Sequence, residues 1–389
     1  MRNMSLNDVF VNIISCGIND TPLDNDTKGY ITEDIYEELY TLGEKHHVTH
    51  IIADVLLKEK IVEDDEFIML LRANIMSAIN KTEKIRSSLR TLCDLFETNN
   101  IPFIPLKGSV IRNFYHKDWY RSSSDIDVLV KKEDFSMAEK LLTESLNCKF
   151  CKRGPHDVSY ISENGVNIEL HFTLIVTDSQ SIGKGYRRWN AEILESVWER
   201  AQVKDGYSYY SELSNGDFYM YHIAHMAKHF ENGGCGIRSI IDLYLMNKAG
   251  MYGESAEKLL DESGLSDFAK AVMKLSEVWL SDDTHDEISH LTARFIIDGG
   301  IFGNPQNKVD FGSASKGRAR YILSRIFMPY SLLKTVYPVL CKHKWLYPLY
   351  IVIRWFRCLS PDIQKRVVGE LKSDAQDTDV PMLIKKLGL

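Results

Sequence analysis

Residues 121–134 read RSSSDIDVLVKKED, and the fold turns on how that stretch is understood. Asp125 and Asp127 stand one residue apart where the chain enters the apolar run Val128-Leu129-Val130. Side chains at i and i+2 of a strand share one face, so both carboxylates point the same way and repel unless positive charge lies between them. A hard divalent cation such as Mg²⁺ takes one or two carboxylates and keeps the rest of its shell for water and phosphate oxygens. The same pattern also fits a turn-capping Asp125 and an Asp127 at a solvated strand end. The stretch alone leaves both readings open.

Working outward, IPFIPL (101–106) reads as a short buried strand, followed by Lys107-Gly108-Ser109 and a helical stretch to residue 117. Residues 133–146 form an amphipathic pattern with Met137, Leu141 and Leu142 at helical spacing. DVSYISENGVNIELHF (157–172) predicts a β-hairpin, with Asn164-Gly165 supplying two positive-φ positions of a tight turn. In its second strand Ile168 and Leu170 face one way, Glu169 and His171 the other. A glutamate between apolar neighbours on a central strand is costly to bury unpaired. If that strand lies beside DIDVLV, Glu169 joins Asp125 and Asp127 in a cluster that cannot stay fully ionised without cations. Such a cluster suits two-metal phosphoryl or nucleotidyl transfer.

A phosphate site is the other half of that chemistry. Lys107-Gly108-Ser109 lies just after a strand and opens a helix. Glycine lets the backbone approach an anion, the helix start favours negative charge, and the serine hydroxyl adds a donor. Lys107 contributes a point charge and Arg121 a planar fork. A lone Gly-Ser is weak. Strand, Gly-Ser, helix, then a strand-initial Asp-Ile-Asp after fifteen intervening residues, then a hairpin carrying Ile-Glu-Leu, is much stronger.

These residues resemble the nucleotidyltransferase superfamily that includes DNA polymerase beta and the aminoglycoside nucleotidyltransferases. They resemble still more closely a bacterial group described as uncharacterised nucleotidyltransferases. Its members carry Lys-Gly, an Arg before SDID.LV, Glu-x-His, and later a His-rich helix before Arg…Asp. Here those are Lys107-Gly108, Arg121 to Val130, Glu169 with His171, and His225, His229, Arg238 and Asp242. The resemblance implies Mg²⁺ (or Mn²⁺) and a nucleoside triphosphate, with Asp125 and Asp127 on metal, Glu169 as third acid and Gly108-Ser109 on phosphate. Lys107 departs from the two small residues many superfamily members carry there. The acceptor is not part of what the resemblance implies.

The rest of the 389-residue chain reads as helical. Helices are expected over residues 7–17, 32–60 and 66–99, and again from residue 186 onward. The expected fold is α+β: a helical region 1–99, a small mixed-sheet core 100–175, a helical domain 176–310 and a basic, aromatic-rich helical region 311–389. Hydrophobic content of 44% and a net charge of −7 are ordinary for a globular protein. Seven scattered cysteines fit a reducing compartment. The first twenty residues lack an apolar leader core, and WLYPLYIVIRWF (345–356) is too short to span a bilayer. The expectation is a cytoplasmic protein with no transmembrane segment.

Weaker signals surround the core. His222, His225 and His229 fall at i, i+3 and i+7. With Lys228 they read better as groups contacting carboxylates or phosphate than as a metal site, because no Cys or Glu completes a set. His171 is a candidate substrate contact or a structural hydrogen-bonder. Arg238 and Asp242, four apart, read as a helix pair, and the Cys148/Cys151 spacing as coincidence. From Phe311 to Pro361 the chain has nine Lys/Arg and no acid. The part from 316 to 357 fits nucleic-acid contact, an anionic membrane surface, or a scaffold packing its aromatics inward.

The expected activity is transfer of a nucleoside monophosphate from an NTP to a hydroxyl of a small molecule, protein or RNA. The alternatives are an inactive nucleotide-binding regulator and an RNA-modifying toxin.

Overall fold

The computed structural model describes residues 4–154, 156–174, 193–194, 196–337, 339–357 and 379–389. Helices α1 (Leu6–Asn19), α2 (Asn25–Tyr30), α3 (Tyr36–His46), α4 (Thr49–Glu59) and α5 (Asp65–Thr98) come first. Ser5 and Asp8 form a reciprocal capping box on α1, which satisfies amides the helix itself leaves open. The single helix expected over 32–60 is two. His47 adopts a left-handed conformation, φ 56°, at the end of α3, and the chain turns before α4. A Cβ at Gly17 of α1 would lie 2.7 Å from Ile51 Cγ2 of α4, so glycine is what lets these helices approach so closely.

The sheet follows, with strand order β1-β2-β5-β4-β3. It is built from β1 (Phe103–Pro105), β2 (Asp125–Val130), β3 (Lys149–Arg153), β4 (Asp157–Ile161) and β5 (Asn167–His171). Short α6 (Gly108–Ile111) follows β1, and α7 (Phe135–Glu144) follows β2. β2 and β5 are parallel, and the other neighbours are antiparallel. One face packs Ile126, Val128, Val130, Ile168 and Leu170 against Ile85, Leu92 and Phe96 of α5 and against α7. Met137 is not part of this core. It is 52% exposed, and α7 buries Phe135, Ala138 and Leu142 instead. In the hairpin only Gly165 takes positive φ, 83°. The turn runs from Ser162 to Val166, whose backbones pair at 2.9 Å, rather than through two left-handed residues.

Helix α8 (Val197–Arg200) and strands β6 (Gln202–Val203) and β7 (Ser211–Glu212) lead into α9 (Asn215–Glu231) and α10 (Gly236–Lys248). α11 (Glu254–Ser263), α12 (Ser266–Leu280), α13 (Glu287–Gly299) and α14 (Pro305–Lys316) come next. The helix expected from residue 187 falls largely outside the described residues. One apolar core joins α1, α3 and α4 to α9, α10, α12 and α13, with Phe10, Ile51, Phe230, Ile241 and Phe295 all inside it. The remaining helices are α15 (Arg318–Ile326), α16 (Tyr330–Val336), α17 (Val339–Lys342), α18 (Tyr347–Arg357) and α19 (Asp379–Lys386).

His46 locks this helical core. Its Nδ1 accepts from the Ile237 amide at 3.1 Å, and its Nε2–H donates to the Ile297 carbonyl at 3.2 Å. His50 similarly donates to the Tyr120 carbonyl at 3.0 Å. Burial pushes both imidazoles down to about 4. The unfolded chain takes up these protons near pH 6.5 and the folded one only near 4, so the stabilisation is complete above about 6.5 and lost as pH falls toward 4. The expected loss is on the order of 3 kcal/mol per histidine. Urea midpoints should fall steeply over that window, and less steeply in His46→Gln. A flat profile would contradict the buried neutral imidazoles.

Candidate active site

The polar face of the sheet is set by strand parity. In β2 the apolar residues Ile126, Val128 and Val130 point to the α5 side, which leaves Asp125 and Asp127 on the opposite face. The parallel register then pairs Asp125 with Asn167, Asp127 with Glu169 and Leu129 with His171. Antiparallel β4 adds Ser159 opposite Glu169 and Asp157 opposite His171. Two carboxylates thus sit directly side by side, Asp127 buried and Glu169 partly so.

Two hydrogen-bond donors converge on Asp127. Lys107 Nζ donates to its Oδ1 at 2.6 Å, and His171 Nε2 to the same oxygen at 2.8 Å. Burial works to raise the Asp127 carboxyl, but Lys107 and His171 overcome it and hold the group below the ordinary aspartate range. The same competition appears on Lys107. Burial would lower its ammonium, and Asp127, with Tyr221 and Glu169, more than reverses this. Asp125 and Glu169 go the other way, raised first by burial and then by the Asp127 charge. Asp127, Glu169 and His171 offer ligand atoms that all lie within 4.8 Å of one another, and Asp125 falls outside that group.

The Gly-Ser turn stands beside this cluster because β1 is antiparallel to β2. The Leu106 amide donates to the Asp127 carbonyl at 2.9 Å, which places Lys107-Gly108-Ser109 at the carboxylate end of β2. Lys107 holds φ 47° and ψ −121° there, a left-handed conformation costly for a residue with a side chain. Ser109 Oγ is buried without a hydrogen-bond partner among the described residues, as is His171 Nδ1. Such orphaned buried polar atoms are rare in native folds and point to an absent partner.

Arg121 is placed differently from the triphosphate contact read from the sequence. Its Nε donates to both carboxylate oxygens of Asp242 on α10, at 2.7 and 2.9 Å, and its Nη1 to the Ser122 carbonyl at 3.0 Å. Tyr115 Oη donates to Asp242 Oδ1 at 2.6 Å. A buried guanidinium needs a buried counter-ion, and this one anchors the turn that delivers Asp125. Arg238 and Asp242, read as a helix pair, share α10 and feel each other's charge, but their direct bonds go elsewhere. Arg238 Nη1 donates to the Ser122 carbonyl at 2.8 Å, and burial with neighbouring Arg121 lowers it to about 10.

The histidine helix α9 lies across from the polar face. His225 and His229 bring their Nε2 atoms within 3.2 Å, whereas His222 turns away to the Ser239 carbonyl at 3.1 Å. Burial lowers His225, His229 and Lys228. Lys107 adds to each shift, while Asp157 and Glu169 pull Lys228 back. His156, unmarked in the sequence reading, packs its ring 5.5 Å from His171. A groove of about 600 Å³ lies beside Ser124, the residue before Asp125, lined by Asn80, Lys81, Lys84 and Asn164 among others and by no acid among the described residues.

A family model described as an uncharacterised nucleotidyltransferase matches residues 33–281. No curated protein and no solved structure matches the chain.

Proposed function

Since the chain belongs to that nucleotidyltransferase family, we propose that it moves a nucleoside monophosphate from an NTP to a hydroxyl acceptor in a reaction dependent on Mg²⁺ or Mn²⁺. The carrying observation is the in-register pair Asp127–Glu169 on parallel strands, with a buried Ser109 hydroxyl that has no partner among the described residues. Carboxylate oxygens are the donors a hard divalent cation prefers, so the residues fit such an ion. Asp127 and Glu169 would hold it, with Asp125, two residues away on the same face of β2, as the further carboxylate. When bound, the cation supplies charge neutralisation for the triphosphate and a lowered pKa for the attacking hydroxyl.

The protein's own groups do the rest. Ser109 Oγ, the Gly108 amide and Lys107 bind the triphosphate. Lys107 is the counter-ion of Asp127 in the structure. It swings to phosphate once that charge is met otherwise. The hydroxyl oxygen forms a bond to the α-phosphorus, the bond to the β-phosphate's bridging oxygen breaks, and pyrophosphate leaves. The hydroxyl proton goes to Glu169. His171 keeps Asp127 oriented, and Lys228, His225 and His229 close the far wall on the substrates. The Lys81/Lys84 groove gives the acceptor its way in. Arg121 holds the Asp125 turn rather than the nucleotide.

Thermal unfolding with each of the four NTPs, with and without Mg²⁺, tests the proposal. A ligand at about 100 times its dissociation constant adds roughly 2.7 kcal/mol. The expected result is a Mg²⁺-dependent shift with at least one NTP. No shift with any of them would sink the transferase reading. A shift without label transfer to sugar, protein or RNA acceptors would identify a nucleotide-binding regulator instead.

A further inference from the structure

The basic segment does not hide its apolar side chains. Helices α16 to α18 build a small core of Leu333, Leu340 and Ile351, into which tyrosines turn. Tyr330 Oη donates to the Leu340 carbonyl at 2.7 Å and Tyr347 Oη to the Met328 carbonyl at 2.9 Å. The opposite side stays open. Among the described residues between 323 and 356 nine large apolar side chains are exposed, including Trp345 at 77%, Leu349 at 52% and Phe356 at 69%. Leu349, Val352 and Phe356 fall at i, i+3 and i+7, one stripe along α18, with Trp345 just ahead of it. Exposed Lys342 and Lys344 flank the stripe, and residues 311–361 contain no carboxylate side chain.

We propose that this face docks on an anionic lipid surface, α18 lying in the interface with Trp345, Leu349, Val352 and Phe356 in the acyl boundary and the cations on the headgroups. An amphipathic helix with Trp, Phe and Leu on one side and Lys/Arg on the other is built for that position. Nucleic acid is the poorer fit, because stacking uses aromatic faces and five of the nine exposed residues are Leu or Val. A second copy is poorer still. A two-fold contact sets a patch against itself, and here that opposes cations to cations. The chain does not need to cross the bilayer, and among the described residues no helix is long and apolar enough to do so.

Co-sedimentation of the full chain with phosphatidylcholine vesicles, with and without phosphatidylglycerol, tests this. Binding is expected only with phosphatidylglycerol, falling with added salt, and with a blue shift in tryptophan emission. The triple variant Leu349→Ser/Val352→Ser/Phe356→Ser should bind at least about 100-fold more weakly. Lys342→Glu and Lys344→Glu should each cost about fivefold. An unchanged thermal midpoint in these exposed-site variants keeps loss of binding distinct from loss of fold. Equal binding to neutral vesicles would overturn the proposal, as would binding to neither. So would a short RNA or a self-association that the triple variant abolishes while vesicles go unbound. None of these readouts uses the carboxylate cluster, so the transferase reading stands or falls separately.

Discussion

Asp127→Asn should reduce nucleotidyl transfer by roughly 10³- to 10⁴-fold, the several kcal/mol that metal-assisted charge stabilisation contributes. The asparagine keeps the shape and removes the charge on which Lys107 Nζ and His171 Nε2 converge at 2.6 and 2.8 Å. The Mg²⁺-dependent thermal shift with NTP should vanish with it. The metal-free protein should also lose stability, because the Lys107 ammonium loses its nearest counter-ion. Glu169→Gln separates these two effects. Glu169 lies directly opposite Asp127, and burial and that charge raise its carboxyl, so its ionised form works against the fold at neutral pH. Removing it should stabilise the metal-free protein by up to about 1 kcal/mol, the cost of like charges facing across strands, while transfer is lost. Full activity in either variant would remove the pair from the mechanism.

Asp242→Ala should cost about 3–5 kcal/mol, the penalty for leaving a buried partner uncompensated. Arg121 is 9% exposed and Asp242 1%, so water cannot take over their bonds. Arg121→Ala should cost a similar amount. The double replacement Arg121→Met/Asp242→Leu should recover much of the loss, because apolar groups of like volume need no partner. Urea denaturation of the cycle gives the coupling directly. If Arg121 served the triphosphate instead, Arg121→Lys would weaken the NTP shift and leave the urea midpoint alone.

The sequence reading reached far where one face is buried and little where contacts are distant. The strand read from DIDVLV is Asp125–Val130 residue for residue, and the long helix expected over 66–99 runs Asp65–Thr98. In both, a periodic apolar face is fixed by burial. The side of β5 that carries Glu169 and His171 followed from the same parity. β3 was invisible, since KFCKR is exposed at every position and carries no alternation. The break at His47 lacks Gly or Pro. Met137 was read from spacing alone, which cannot tell which edge of a helix faces inward. No local pattern announces Arg121–Asp242, 121 residues apart, or the left-handed backbone of Lys107. Lys107 and His171 were named from the sequence as phosphate and substrate contacts, but not as the partners of Asp127 that they are in the fold.

The shared core of α1, α3, α4 and the helices from 215 to 299 has a consequence for synthesis. Helix α1 packs on α4 from the outset, but Phe10 and Ile13 complete their core only when the helices that carry Ile241 and Phe295 have emerged from the ribosome. At about 5–20 residues per second that delay is roughly 10–50 s. Throughout it the faces of the nascent N-terminal helices that pack on those later helices stay uncovered. The shared core is therefore expected to complete its burial only after residue 299 has been made.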